Sequence, residues 1–178
     1  MPEMYIGWSR ASSPLAIGSK FIQWWDGGDV SHTYVKFYWQ SVGGWLIYQA
    51  SKGMVNFYNE DLFKEHNTIV EEIRVDLSDE TYLNTQKFAY VNLGRKYSRL
   101  QLLGFVVARL CSELKKASPC LEKLLPEKNV FGNGHEQYVC TELVADILEE
   151  CWGITINEDS ELITPKMLRD MVHERMPF

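Results

Sequence analysis

The sequence predicts a single α+β domain spanning residues 1–178, with an antiparallel sheet packed against helices. Three observations lead there. Strand-like and helical patterns follow one another as helix, then strands, then helices, without the regular alternation of a parallel sheet. Two strand-like runs flank a short turn and read as a hairpin. No internal repeat or Pro/Gly/Ser-rich linker divides the chain, and 178 residues suffice for one core but hardly two.

The elements follow in order. MYIGW reads as a first strand, and SSPLAIGSKFIQWW reads as a helix entered at Ser13-Pro14 and closed by the turn residues DGGD. SHTYVKFYW is rich in β-branched and aromatic residues, QSVGG turns the chain, and WLIYQAS returns it as the antiparallel partner. TIVEEIRVDL sets Val70, Glu72, Arg74 and Asp76 against Ile69, Ile73, Val75 and Leu77, the alternation of a strand. SDETYLNTQKFAYVNLG carries a capping serine at its start and Gly94 at its end, so a helix is expected. LQLLGFVVARLCSELKK is a further helical pattern, and ITPKMLRDMVHER is a short helix with Pro165 in its first turn.

Composition narrows the function. With 46% hydrophobic, 13% aromatic and 24% charged residues the chain belongs with folded proteins, and a net charge of −6 argues against a general nucleic-acid binder. No uninterrupted apolar run reaches the roughly 20 residues of a membrane span. MPEMYIGWSR lacks the charged and apolar regions of a secretory signal, so a cytoplasmic location with reduced thiols is expected. Cys111, Cys120, Cys140 and Cys151 show no zinc-type spacing, so no metal and no cofactor is expected. The sequence does not set the oligomeric state.

The stretch GHEQYVCTELVADILEEC turns helical at its first cysteine. Cys140, Leu143, Val144, Ile147, Leu148 and Cys151 share one face that must pack inward, while Glu142, Asp146, Glu149 and Glu150 form a solvated acidic face. Cys140 admits two accounts. It is a small buried hydrophobe, or a nucleophile whose thiolate is stabilised by the unpaired N–H groups at the helix start. The choice turns on a partner base.

Of the four histidines, His66 falls in a polar loop, His135 precedes the cysteine helix, and His173 lies among charged neighbours, all surface settings. His32 opens a strand, held by a sheet near its open end. The antiparallel return of WLIYQAS brings Gln49 towards its level, where an amide oxygen can accept the imidazole N–H and fix the tautomer. Trp8, Trp24, Trp25, Trp39 and Trp45 crowd the N-terminal quarter and read chiefly as core, with a groove beside the thiol as the alternative.

SHTYVKFYW, WLIYQAS, GRKY (residues 94–97) with QLLG, YVCTELVADIL and ITPKML together resemble the permuted branch of the NlpC-type papain-like cysteine hydrolases. That branch includes YiiX-like and lecithin:retinol-acyltransferase-like proteins, in which the histidine strand precedes the cysteine helix. The resemblance runs from about Tyr5 to Leu168 and is sharpest at Ser31-His32 and at residues 139–143. It implies a permuted papain-like fold, Cys140 as nucleophile, His32 as general base and Gln49 as the polar third member. The family's third member is often a histidine or an acid, and a neutral amide lends the imidazolium no charge.

The expectation is therefore a thiol hydrolase cleaving an amide or ester, foremost a peptidase or amidase acting on cell-wall-type (murein) peptides. A wall enzyme without an export signal fits a phage or virion product. A lipid acyl hydrolase or acyltransferase with a lipid-amide substrate is the alternative within the family, and a non-catalytic binding or structural protein is the alternative outside it. Zinc held by His135 and Cys140 is a minor possibility, because five residues separate them and no further ligand clusters nearby.

Overall fold

A computed structural model describes residues 3–97, 137–156 and 163–176. The sheet is built from β1 (Met4–Ala11), β2 (His32–Trp39), β3 (Gly44–Ser51), β4 (Met54–Asn59), β5 (Asn67–Val75), β6 (Lys96–Tyr97) and β7 (Gln137–Tyr138). Their order across the sheet is β5-β1-β2-β3-β4-β6-β7, antiparallel throughout except for the parallel β6/β7 pair at the edge. The described helices are α1 (Ile17–Asp26), α2 (Glu60–His66), α3 (Asp79–Val91), α4 (Cys140–Asp146, continuing as a π-helical turn Ile147–Cys151) and α5 (Pro165–Arg175). The α+β class and the antiparallel sheet agree with the sequence. The helical pattern LQLLGFVVARLCSELKK and His135 lie outside the described residues.

Local chemistry accounts for the element ends. Gly27 closes α1 in the left-handed region at φ 62°, returning its N–H to the Gln23 carbonyl. Ser78 caps α3 by accepting from Thr81 N–H at 3.1 Å, and Thr164 caps α5 by accepting from Met167 N–H at 3.0 Å ahead of Pro165. Lys52 and Gly53 both have positive φ, 51° and 99°, so β3 and β4 meet in the two-residue turn whose twist suits a hairpin.

Three parts depart from the sequence reading. MVNFYN forms β4, and EDLFKEH forms α2 with Asn59 accepting from Asp61 and Leu62 N–H at 2.9 and 3.2 Å, so His66 ends a helix and does not sit in a loop. Residues 96–97, between the helix expected to end at Gly94 and the next helical pattern, form β6.

The sheet has two unlike faces. On one, Met4, Ile6, Trp8, Val35, Phe37 and Tyr48 join Leu143, Val144, Ile147 and Leu148 of α4 in the main core. On the other, Tyr34 and Ile47 pack under Phe63 of α2. Lys36 is buried on this second face between Glu60 (3.3 Å) and Glu72, with the rings of Tyr5 and Trp45 4.5 and 5.0 Å from its ammonium. The tryptophans divide: Trp8 is buried, but Trp24 is 74% exposed on α1, a helix with no buried residue. Among the described residues no helix is long and apolar enough to cross a membrane.

Candidate active site

The site forms where two strands part. The β2/β1 ladder continues to Ser9↔His32, while the β2/β3 ladder ends at Val35↔Tyr48. His32 is therefore held by β1 alone, and Gln49 is held by β4 through its pairing with Asn56. Across the gap their side chains meet, His32 Nε2 lying 2.7 Å from Gln49 Oε1. An amide oxygen can only accept, so Nε2 carries the proton and Nδ1 keeps its lone pair. The ring is pushed down to about 4 by burial, partly offset by the Gln49 hydrogen bond. At neutral pH it is an uncharged base.

Cys140 stands at the first position of α4 and is buried. Backbone N–H groups of Thr33, Thr141 and Cys140 itself are directed at its sulfur and favour the thiolate, but burial outweighs them and raises the thiol's pKa. The helix start therefore does not yield a resting thiolate as its N–H groups alone would suggest. The Thr33 contact places the sulfur beside the peptide unit joining residues 32 and 33.

The imidazole leaves β2 on the side of Tyr34 and Phe63, its centroid 6.4 and 6.2 Å from theirs, whereas α4 packs on the Val35 and Phe37 side. Thiol and imidazole flank one peptide unit at the open start of β2. In this resting arrangement the sulfur is engaged by backbone N–H and the ring by Gln49, and among the described residues no hydrogen bond joins the two. All three residues singled out in the sequence are thus brought to one strand end, with the His32–Gln49 couple already formed.

The polar face of α4 is a correction. Glu142 and Asp146 are 1% and 4% exposed, not solvated as the helical pattern suggests. Glu142 Oε2 accepts from Val139 N–H at 3.4 Å and so caps the helix that presents Cys140. Asp146 hydrogen-bonds the Tyr138 hydroxyl, whose pKa is raised by burial and by that carboxylate, and Arg95 lies over the same ring at 5.6 Å. Only Glu149 and Glu150 stay exposed.

Residues around these three side chains hold them in place. Ser31 N–H donates to Ser9 O at 2.9 Å, and its hydroxyl lies 2.5 Å from Ser19 of α1, fixing the residue before His32. Asp26, ending α1, accepts from Thr164 Oγ1 at 2.6 Å and Lys166 N–H at 3.0 Å, and Arg169 reaches Asp29 at 2.8 Å. The ITPK segment thus holds the loop leading into β2. His173 Nε2 lies 2.8 Å from Glu71 on the surface. Among the described residues no group of three or more His, Cys, Asp or Glu could hold a metal ion, and Cys140 and Cys151 are free thiols.

A cavity of about 920 Å³ lies at the opposite end of β2, lined by Tyr38, Trp39, Trp45 and Tyr82 with Glu3 and Asp79. Six residues of strand, roughly 20 Å, separate Tyr38 from His32. Comparison with known proteins finds no matching family model, curated protein or solved structure.

Proposed function

We propose that the chain is a cysteine hydrolase of permuted papain-like type, cleaving an amide or ester bond with Cys140 as nucleophile, His32 as general base and Gln49 as its orienting partner. The observation that carries this reading is the 2.7 Å His32–Gln49 couple beside a sulfur turned to the Thr33 N–H. In the proposed reaction the Cys140 segment moves round the open strand end towards Nδ1 when substrate enters, while the His32–Gln49 bond stays in place. Nδ1 takes the thiol proton as sulfur attacks the carbonyl carbon, and the N–H groups at the start of α4 face the developing oxyanion. The imidazolium returns that proton to the leaving amine or alkoxide, giving a thioester. Water, deprotonated by Nδ1, attacks the thioester and releases the acid and the free thiol.

The uncharged starting pair makes this a general-base mechanism, unlike one that begins from a thiolate–imidazolium pair. Murein-type peptides are the first substrate class to test. A lipid amide or acyl ester is the second, favoured by one observation: α1, joined to the site through Ser19 and Ser31, leaves Ile17 79% and Trp24 74% exposed.

The experiment compares wild type with Cys140→Ala and His32→Ala on a stem peptide and on a fatty-acyl amide, following acyl-enzyme mass and product release. A thioester adduct on Cys140 that both variants lack is expected. Turnover of both substrates by Cys140→Ala at the wild-type rate would reject the assignment. Absence of any adduct or turnover in wild type would favour a binding protein built on the same fold.

A further inference from the structure

The His32 tautomer is traceable beyond Gln49 to a turn of the backbone. Asn56 sits opposite Gln49 in the β3/β4 ladder. Its Nδ2 donates to two main-chain carbonyls, Ser51 O at 3.1 Å and Met54 O at 3.0 Å. Carbonyls only accept, so the amide nitrogen of Asn56 must face them and its oxygen must face away. That oxygen takes the Gln49 Nε2–H at 3.4 Å. Gln49 is 3% exposed, so no bulk water competes to turn its amide over. With its nitrogen committed to Asn56, Gln49 presents Oε1 to His32 Nε2.

Ser51 and Met54 are the last paired residues before the Lys52-Gly53 turn, where both φ values are positive. The turn thus fixes two carbonyls, the carbonyls fix Asn56, and Asn56 fixes the polarity of Gln49.

We propose that Asn56 is a positioning residue that sets the amide orientation of Gln49 and thereby holds His32 in the Nε2–H tautomer, leaving Nδ1 as the base. The catalytic consequence rests on the hydrolase reading above, but the tautomer does not. If Asn56 were apolar, Gln49 could turn its NH2 towards Nε2, which would then have to accept, moving the proton to Nδ1 and removing the base.

The test reads the tautomer directly, by long-range ¹H–¹⁵N NMR of histidine-labelled protein. Wild type should show His32 as Nε2–H alone. Asn56→Leu should add the Nδ1–H form. Asn56→Asp, which offers Gln49 only acceptor oxygens, should keep Nε2–H even if it melts earlier. Should Asn56→Leu not fold, wild type and Asn56→Asp still decide, because Nδ1–H in either overturns the proposal. A folded Asn56→Leu with an unchanged tautomer also overturns it. On a substrate that wild type cleaves, kcat of Asn56→Leu should fall by the reciprocal of its Nε2–H fraction with KM unchanged. A tautomer shift in a protein without turnover would uphold the positioning role and reject the hydrolase reading.

Discussion

At the scale of single residues, burial decides how His32 titrates, and Gln49 works against it. Its amide raises the ring's proton affinity only slightly against burial, and the imidazole ends at about 4. The acidic limb of kcat/KM is therefore expected near that value in the hydrolase reading. Gln49→Glu places a carboxylate at the same atom, which favours the imidazolium and should move the limb upward, as a pH–rate profile would show. Gln49→Leu removes the acceptor and should lower kcat by about 10 to 1000 fold, whereas His32→Ala should remove about 10⁴ or more, both measured with substrate saturating. The thiol behaves oppositely to an activated one. Because burial raises the pKa of Cys140, its alkylation by iodoacetamide should be slow at neutral pH and climb only through the alkaline range. Rapid labelling at pH 6 would show that the imidazole had already taken the proton.

At the scale of elements, some segments announce themselves and others depend on their neighbours. β1, β2, β3 and β5 were legible because alternation and β-branched or aromatic residues coincide, and α3 and α5 because a capping hydroxyl stands before each. MVNFYN was not, since six residues of mixed polarity carry little period, and β6 and β7, two residues each, exist only by pairing. Missing β4 also hid Asn56. Helical periodicity correctly named the buried apolar face of α4, but it cannot say whether Tyr138 and Arg95 cover the other face, which is why Glu142 and Asp146 were misjudged. Trp24 was misjudged for the converse reason, since an aromatic stripe does not guarantee a partner. Two substitutions test element packing. A Cβ at Gly7 would lie 2.2 Å from Tyr34 Cζ, so Gly7→Ala must displace that ring from under α2 and should cost about 1–3 kcal/mol in urea unfolding. Lys36→Ala takes the shared cation from Glu60 and Glu72, while Glu60 keeps Lys64 at 2.9 Å and Glu72 the Tyr34 hydroxyl at 2.8 Å, and should cost about 1–3 kcal/mol by the same measurement.

At the scale of the whole molecule, the buried imidazole links folding to pH. The unfolded chain binds a proton at His32 near 6.5, while the native site resists protonation until about 4. Between those values the unfolded state holds more protons, so stability contributed by this group is present above about 6.5 and lost as pH falls towards 4. The loss is at most about 3 kcal/mol, and is smaller where the ring's exposed edge is screened by water. His32→Phe should flatten that part of a stability-against-pH curve. The parting of β2 from β3 carries a thermal consequence as well. His32 and Gln49 ride on separate strand pairs beyond the last shared rung, so their bond is a latch across a seam that warming is expected to open before the sheet melts. In the hydrolase reading, turnover should then fade reversibly below the melting transition seen by circular dichroism and return on cooling. If that holds, the temperature at which the site fails is set by the latch, and the melting temperature by the sheet.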